Sequence, residues 1–189
     1  MSLVDKIFHY DILQFMSPII INPGSPKDKA AIPLATKLGN HIPNERRLEQ
    51  IPSILREGIV FCEKNYSDIK LRSITATYDC LGMVFAARRT WIEDKYLDWI
   101  LKEDNYRCLS NITELERGDL VVYRNKGRAS HVGIVVNIIR PLTKEAKWEV
   151  EVLSKWGAGG EYIHKMERVV PYLGEPSEFW TDRKQYGKS

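Results

Sequence analysis

The chain of 189 residues is 43% hydrophobic and 28% charged, a composition typical of a globular domain with a buried core rather than of a disordered or fibrous segment. Its formal net charge of +3 is small and spread along the sequence. The densest basic pairs, Arg46-Arg47 and Arg88-Arg89, lack the glycine and aromatic context of an RNA-binding module. We therefore expect no nucleic-acid partner and interpret these arginines as parts of solvated helix faces.

The three cysteines, Cys62, Cys80 and Cys108, are widely spaced and form no Cys-x-x-Cys pair. Structural zinc sites need closely spaced ligands, so we expect no metal and no other cofactor. Reduced thiols of this number and spacing are typical of a cytosolic chain.

The N-terminal residues and the apolar stretches bear on localisation. Residues 1–11 include acidic side chains and lack the apolar core of a secretory signal. No apolar stretch reaches the roughly 20 residues that a transmembrane helix needs. We therefore expect a cytoplasmic protein without a membrane partner, for which action outside the cell would require a non-classical route of export.

Proline punctuates the first quarter of the chain. Residues 11–45 contain five prolines, a composition that favours short extended segments over long elements. We interpret residues 1–47 as an N-terminal extension and residues 48–189 as one domain. Apolar residues recur at helical intervals over residues 48–63, which predicts a first helix, whereas residues 65–79 are mixed and polar.

Apolar periodicity from Cys80 onwards predicts a second helical stretch over residues 80–101, broken near Glu93-Asp94. Short strand-like segments follow, separated by glycine, proline or charged turns, at residues 120–123, 131–139, 148–155, 161–165 and 178–182. Helices that precede strands in this way are typical of α+β domains. We predict N-terminal helices packed on a meandering antiparallel sheet, with the Cys80 helix across one face.

Cys80 lies where the polar stretch Tyr78-Asp79 gives way to an apolar run, so its sulfur is predicted at a helix start. Unsatisfied backbone N–H groups at such a position favour the nucleophilic thiolate. His131 heads a strand-like run just after a polar loop and is a candidate general base. A cysteine and a histidine that each open an element predict nucleophilic catalysis through a thiolate–imidazolium pair.

Three segments in this order resemble the NlpC-type and CHAP-type branches of the papain-like cysteine peptidases and amidases. They are Asp79-Cys80-Leu81-Gly82 at the helix start, GDLVVY at 118–123 and SHVGIV at 130–135. The resemblance covers residues 75–182 and implies a papain-like fold, with Cys80 on a helix and His131 on the first long strand. These branches usually carry a small polar residue directly after the cysteine, where this chain has Leu81.

The resemblance implies a thiol-dependent hydrolase that cleaves an amide bond, with a peptide or peptidoglycan fragment of the bacterial cell wall as the default substrate. Cys80 would attack the carbonyl carbon, and His131 would protonate the leaving amine. The backbone amide of Cys80 would stabilise the oxyanion. A tyrosine two residues before the nucleophile commonly lines the active site in these branches, and Tyr78 occupies that position.

A third catalytic residue would orient the imidazole of His131. A hairpin between the two longest predicted strands brings residues 154–156 close to His131. Ser154 has the only side chain there that can accept a hydrogen bond. It also follows Trp148, Val150 and Val152 at every second position, a face of the strand that we expect to lie towards the Cys80 helix. Glu161 and His164, on the next predicted strand, are the alternatives.

The same residues leave other functions open. A deamidase, an acyltransferase or a toxin effector would use the same thiol on an intracellular protein. A non-catalytic binding module would keep the fold but bury Cys80 far from His131, since cysteine is among the most buried residue types. Asp79 is interpreted as a helix cap or ion-pair partner, and residues 157–160 as a flexible turn beside the active site.

Overall fold

The computed structural model describes residues 31–141, 143 and 147–184, together with the backbone of residues 27–28. Its helices are α1 (Pro52–Asn65), α2 (Cys80–Phe85) and α3 (Leu97–Glu103). Short 3-10 turns lie at Asp94–Tyr96, Ile112–Glu114 and Pro171–Leu173. The strands are β1 (Lys27–Asp28), β2 (Arg46–Arg47), β3 (Lys70–Ile74), β4 (Arg107–Cys108), β5 (Leu120–Asn125), β6 (Arg128–Ile139), β7 (Glu149–Lys155), β8 (Gly160–Lys165) and β9 (Glu175–Thr181).

Seven of these strands form one antiparallel sheet in the order β3-β8-β7-β6-β5-β9-β4, and β1 pairs with β2 separately. The fold is therefore α+β, as the sequence predicts. Branched residues fill the central strands because they suit a pleated, buried surface. Val121, Val122 and Val132 have no exposed surface, so the middle of the sheet is covered on both faces.

Side chains alternate along each strand, and separate cores therefore cover the two faces of the sheet. On one face, Val122 and Val132 pack with Cys80 at the start of α2. On the other face, Trp156 packs with Cys62 of α1. We call these the α2 face and the α1 face, and the sheet lies between the two helices.

The helical stretch predicted over residues 80–101 does divide into two helices, but the first of them is shorter than predicted. It ends at Phe85, and α3 begins only at Leu97. Ala87 and Arg88 have left-handed φ angles of 49° and 64°, a conformation that cannot continue a right-handed helix. The expected break near residues 93–94 is instead part of a longer irregular connection.

The sheet also begins earlier than the sequence indicates. Strand β3 lies in the polar segment 65–79, where the sequence predicts no element. It is the edge strand next to β8, with side chains that alternate between exposed and half-buried. An edge strand that buries few apolar groups carries a weak hydrophobic signal, which explains why it escapes prediction.

The described part of the extension packs against the helices. Ile42 is 2% exposed and belongs to the core around Cys80. Thr36 and Asn40 donate hydrogen bonds to Glu103 of α3, at 2.7 and 2.9 Å. Residues 1–26 and 29–30, which hold most of the predicted extension, lie outside the described residues. No helix in the described part of the chain combines the length and the apolar character needed to cross a membrane.

Candidate active site

Asp79 fixes the start of α2. Its Oδ1 accepts the N–H of Gly82 at 2.7 Å, and its Oδ2 accepts the N–H of Ile92 at 3.1 Å. Burial raises the pKa of this carboxyl to about 7. The prediction of a helix cap is confirmed. Asp79 thus ties the first turn of α2 to the backbone at Ile92, beyond the loop that follows the helix. These bonds hold Cys80 in place as the first residue of the helix.

The Cys80 sulfur lies beside the backbone of the strand that carries His131. The N–H groups of Val132 and Leu81 hydrogen-bond to the sulfur and favour the thiolate. The pairing of β6 with β7 begins at Gly133, so the N–H of Val132 lies outside the hydrogen-bonded ladder between these two strands. Burial outweighs both bonds, because Cys80 is 5% exposed and its pKa is raised well above the usual range. The resting group is therefore a protonated thiol.

His131 points to the α1 face of β6, opposite to its neighbour Val132. Its ring packs on that of Tyr123, with 5.2 Å between the ring centroids. The side chain has no exposed surface, and neither ring nitrogen has a hydrogen-bond partner in the described part of the chain. Burial, together with the nearby His164, lowers the pKa of His131 to about 3. The imidazole is therefore neutral at pH 7, with one nitrogen able to accept a proton.

Both residues line one cavity of about 350 Å³, near the start of β6. They approach it from different faces of the sheet, since Cys80 belongs to the core of the α2 face and His131 to the α1 face. No hydrogen bond joins them among the described residues. The fold thus brings the two predicted residues to one site, but it holds them as neutral groups rather than as the expected ion pair.

Ser154 makes no hydrogen bond to His131, which corrects the expected third role. Trp156 Nε1 donates to Ser154 Oγ at 3.1 Å, and Oγ lies 2.8 Å from His164 Nε2. His164 Nδ1 lies 2.8 Å from the carbonyl oxygen of Lys165, which can only accept. The ring proton is therefore on Nδ1, and Nε2 accepts the hydroxyl proton of Ser154. We call this chain of bonds the Ser154 relay, and every donor in it has an acceptor.

The predicted direction of Ser154 is also wrong. It pairs with Gly133 of β6, which places its side chain on the α1 face, away from α2. The alternative His164 belongs to the same relay and has no bond to His131. Neither residue orients the imidazole of His131 in this structure.

Tyr78 and the buried Glu161 form a separate network with the partly exposed Arg88. The Tyr78 hydroxyl donates to Glu161 at 2.8 Å, and Arg88 adds two bonds to the same carboxylate at 2.9 and 3.0 Å. Burial raises the pKa of Glu161, but the hydrogen bonds from Arg88 and Tyr78 outweigh it and hold the pKa below its usual value. The Tyr78 proton is therefore committed to Glu161 rather than to an oxyanion at Cys80, and Glu161 is not bonded to His131.

Lys155 is a site residue that the sequence does not single out. It has no exposed surface, and its ammonium donates to the carbonyl oxygens of Gly157 and Gly159. Burial lowers its pKa to about 7, whereas the nearby Asp79 and Cys80 act to raise it. Side chains alternate along β7, so Lys155 faces α2 because Ser154 faces α1. The sequence predicts this direction only once the register of the strand is known.

Tyr172, which no sequence signal singles out, lines the same cavity as Cys80. Tyr172 lies in the 3-10 turn before β9, and its buried hydroxyl has no hydrogen-bond partner among the described residues. Burial raises its pKa well above the usual range. Orphaned buried polar atoms are uncommon in folded proteins, and they mark groups that a ligand can satisfy.

The rest of the described chain offers no arrangement of three histidine, cysteine, aspartate or glutamate side chains that would hold a metal ion. No protein-family model matches the chain, and no curated protein or solved structure matches it. What the protein does must therefore be sought in its own residues.

Proposed function

We propose that the protein is a thiol-dependent hydrolase of papain-like fold, which cleaves an amide bond in a peptide such as a cell-wall fragment. Cys80 is the nucleophile and His131 the general base. The observation that carries the proposal is that both line one cavity although they are far apart in sequence. The sulfur also lies at the amide of Val132, the residue directly after His131.

In the proposed reaction, a substrate carbonyl enters the cavity and His131 takes the Cys80 proton as Sγ bonds to the carbonyl carbon. The carbon–nitrogen bond then breaks, and His131 gives that proton to the leaving amine. Water, deprotonated by His131, hydrolyses the thioester and restores the thiol. Burial suits His131 to this role because it keeps the imidazole unprotonated at pH 7. For this reaction the imidazole must turn towards the sulfur, which lines the same cavity.

Two donors are assigned to the developing oxyanion. The first is the backbone amide of Cys80, as the resemblance implies. The second is the hydroxyl of Tyr172, a residue that lines the cavity and whose hydroxyl has no hydrogen-bond partner among the described residues. One such donor contributes about 3 to 4 kcal/mol to the transition state in well-studied acyl-transfer enzymes. In this proposal Tyr172 takes the place that the sequence suggests for Tyr78.

A non-catalytic binding module is the second candidate, and the burial of the thiol favours it. Cys80 is 5% exposed with a raised pKa, which makes it a poor nucleophile at rest. The cavity would then hold a ligand without reacting with it. Deamidation and acyl transfer share the thiol step with hydrolysis and differ in the group that leaves or accepts, so they remain variants of the first proposal.

Mass spectrometry of reactions with a panel of muropeptides and acyl-peptides tests the proposal. We expect hydrolysis products, and a thioester on Cys80 when the reaction is quenched in acid. Cys80→Ala and His131→Asn abolish both signals, whereas Cys108→Ala, which changes the exposed thiol, retains them. A ligand that binds without any product or adduct supports the binding module and overturns the hydrolase.

Alkylation supplies a readout that needs no substrate. If His131 is the base for Cys80, His131→Asn lowers the rate at which iodoacetamide modifies Cys80 and leaves the rate at Cys108 unchanged. Equal Cys80 rates in the wild-type protein and the variant contradict the assigned role of His131.

A further inference from the structure

Four arginines meet on the wall of a second cavity, of about 490 Å³. They are the two basic pairs of the sequence, Arg46-Arg47 and Arg88-Arg89, which we expected on solvated helix faces. Neither pair is helical, because the first forms β2 and the second follows α2. The fold therefore concentrates positive charge that the sequence spreads over distant segments.

Two of the guanidinium groups are held in fixed positions. Arg47 donates from Nε and Nη2 to Glu45, at 2.8 and 2.6 Å, and its guanidinium lies 3.7 Å from the ring centroid of Trp91. Arg88 donates from Nε and Nη2 to Glu161. In both cases Nη1 takes no part in the bonds to the carboxylate. Each anchored arginine thus keeps a donor for a further acceptor, in an orientation that costs no side-chain entropy on binding.

Arg89 supplies charge that the protein does not neutralise. Its side chain is exposed, and it makes no hydrogen bond or ion pair with the rest of the described chain. The carboxylates of Glu45 and Glu161 are engaged with Arg47 and Arg88. Arg89 therefore remains available to an anion that enters the cavity.

The loop that presents Arg88 and Arg89 is strained. Ala87 and Arg88 both adopt left-handed φ angles, which residues with a side chain rarely do. The Arg88 N–H donates to the carbonyl oxygen of Gly82 at 2.9 Å. Strained conformations of this kind persist where the surroundings impose them, and they cluster at binding sites. The loop thus holds the backbone of Arg88 and Arg89 in place at an energetic cost.

This basic cavity adjoins the thiol site, because Arg47 lines both it and the cavity of Cys80 and His131. We propose that the pocket of Arg46, Arg47, Arg88 and Arg89 binds a carboxylate or phosphate group, and that the substrate carries this group next to its scissile bond. Guanidinium groups recognise both anions through paired N–H donors. That the anion belongs to the substrate rests on the proposed function, whereas anion binding by the pocket does not.

Calorimetric titration with inorganic phosphate at constant sodium chloride tests the pocket directly. We expect saturable binding that Arg89→Gln weakens about tenfold, since a hydrogen bond to a charged group is lost. Arg128→Gln, at the exposed first residue of β6, is the matched control and leaves the affinity unchanged. Cys80→Ala also leaves it unchanged. Absent or unsaturable binding, or equal affinity in Arg89→Gln, overturns the proposal.

A second measurement identifies the source of the anion. Substrates that end in a free carboxylate are compared with their amides, and we expect a higher kcat/KM for the carboxylate that Arg89→Gln reduces about tenfold. Equal kcat/KM for both forms, with phosphate still bound, overturns the claim that the anion belongs to the substrate. Phosphate binding without any hydrolysis leaves the pocket intact and instead contradicts the hydrolase.

Discussion

The Ser154 relay and the Cys80–His131 site lie on neighbouring strands of one sheet, and both are buried, but their polar atoms differ. In the relay every donor meets an acceptor, from Trp156 through Ser154 to His164. At the other site, His131 has no partner for either ring nitrogen in the described chain. A satisfied histidine stabilises the fold, whereas an orphaned one costs stability and is available to a ligand or a reacting group.

The largest expected effect is on the relay. His164→Leu leaves the Ser154 hydroxyl and the Lys165 carbonyl without their partner, and we expect the free energy of unfolding to fall by about 3 kcal/mol. Urea denaturation at pH 7 measures it, with His131→Leu as the control on the same face. If His164→Leu lowers the free energy of unfolding no more than His131→Leu does, the relay does not stabilise the fold and the contrast between the two sites fails.

The next effect concerns pH. The unfolded pKa of a histidine is about 6.5 and that of folded His131 is about 3, so the unfolded state binds more protons between these values. Stability is therefore complete above pH 6.5 and falls as the pH is lowered, by about 1.4 kcal/mol for each pH unit. Between pH 7 and 5 we expect the wild-type protein to lose about 2 kcal/mol more than His131→Leu.

Urea denaturation of both proteins at pH 7 and pH 5 makes this measurement. Asp79 acts in the opposite sense, because its folded pKa of about 7 lies above the ordinary value, but it is present in both proteins and cancels in the difference. Parallel loss of stability in the two proteins contradicts the burial of a neutral imidazole at position 131.

A smaller effect is expected for His131→Leu at pH 7. The substitution removes no hydrogen bond seen in the described residues and replaces a desolvated ring by an apolar side chain. We expect the free energy of unfolding to change by less than about 1 kcal/mol in either direction. Thermal and urea unfolding report it. Severe destabilisation shows that the imidazole has a structural partner, and the contrast with His164 then disappears.

The smallest effect on stability is expected for Tyr172→Phe, which deletes a hydroxyl without a partner in the described chain. The free energy of unfolding rises by about 0.5 kcal/mol or less, because the deleted hydroxyl is desolvated without a hydrogen bond that offsets the cost. Amide hydrolysis nevertheless slows by about 100-fold if the hydroxyl stabilises the oxyanion. Unchanged kcat removes Tyr172 from the proposed chemistry and leaves the backbone amide of Cys80 as the donor.

Local signals predict part of this structure well. The cap at Asp79 follows from a polar residue that precedes an apolar run. All five predicted strands are present, because short runs of branched residues are bounded by turn residues. The direction of Ser154 fails because it depends on hairpin register, where a shift of one residue exchanges the two faces. Register depends on the loop and the packing of distant residues, which periodicity within one strand does not record.

The remaining misses have the same non-local origin. Tyr172 comes into the cavity through a short turn that carries no motif. The arginine pairs are unremarkable in sequence, and only the fold brings β2 beside the loop after α2. Helix α2 is shorter than its apolar pattern because two left-handed residues end it, and neither is glycine or proline. In each case tertiary contacts override the local preference.

Packing of the described extension bears on how the chain can be shortened. A version that starts at Leu48, the domain boundary that proline content suggests, loses Ile42 from the Cys80 core and Arg47 from the walls of both cavities. It also loses Asn44, which binds Ile32 and Thr90. Trimming there would expose apolar surface and open the thiol site. A minimal unit for assays or crystallisation should therefore keep every residue from Lys27 onwards, because β1 pairs with the strand that carries Arg47.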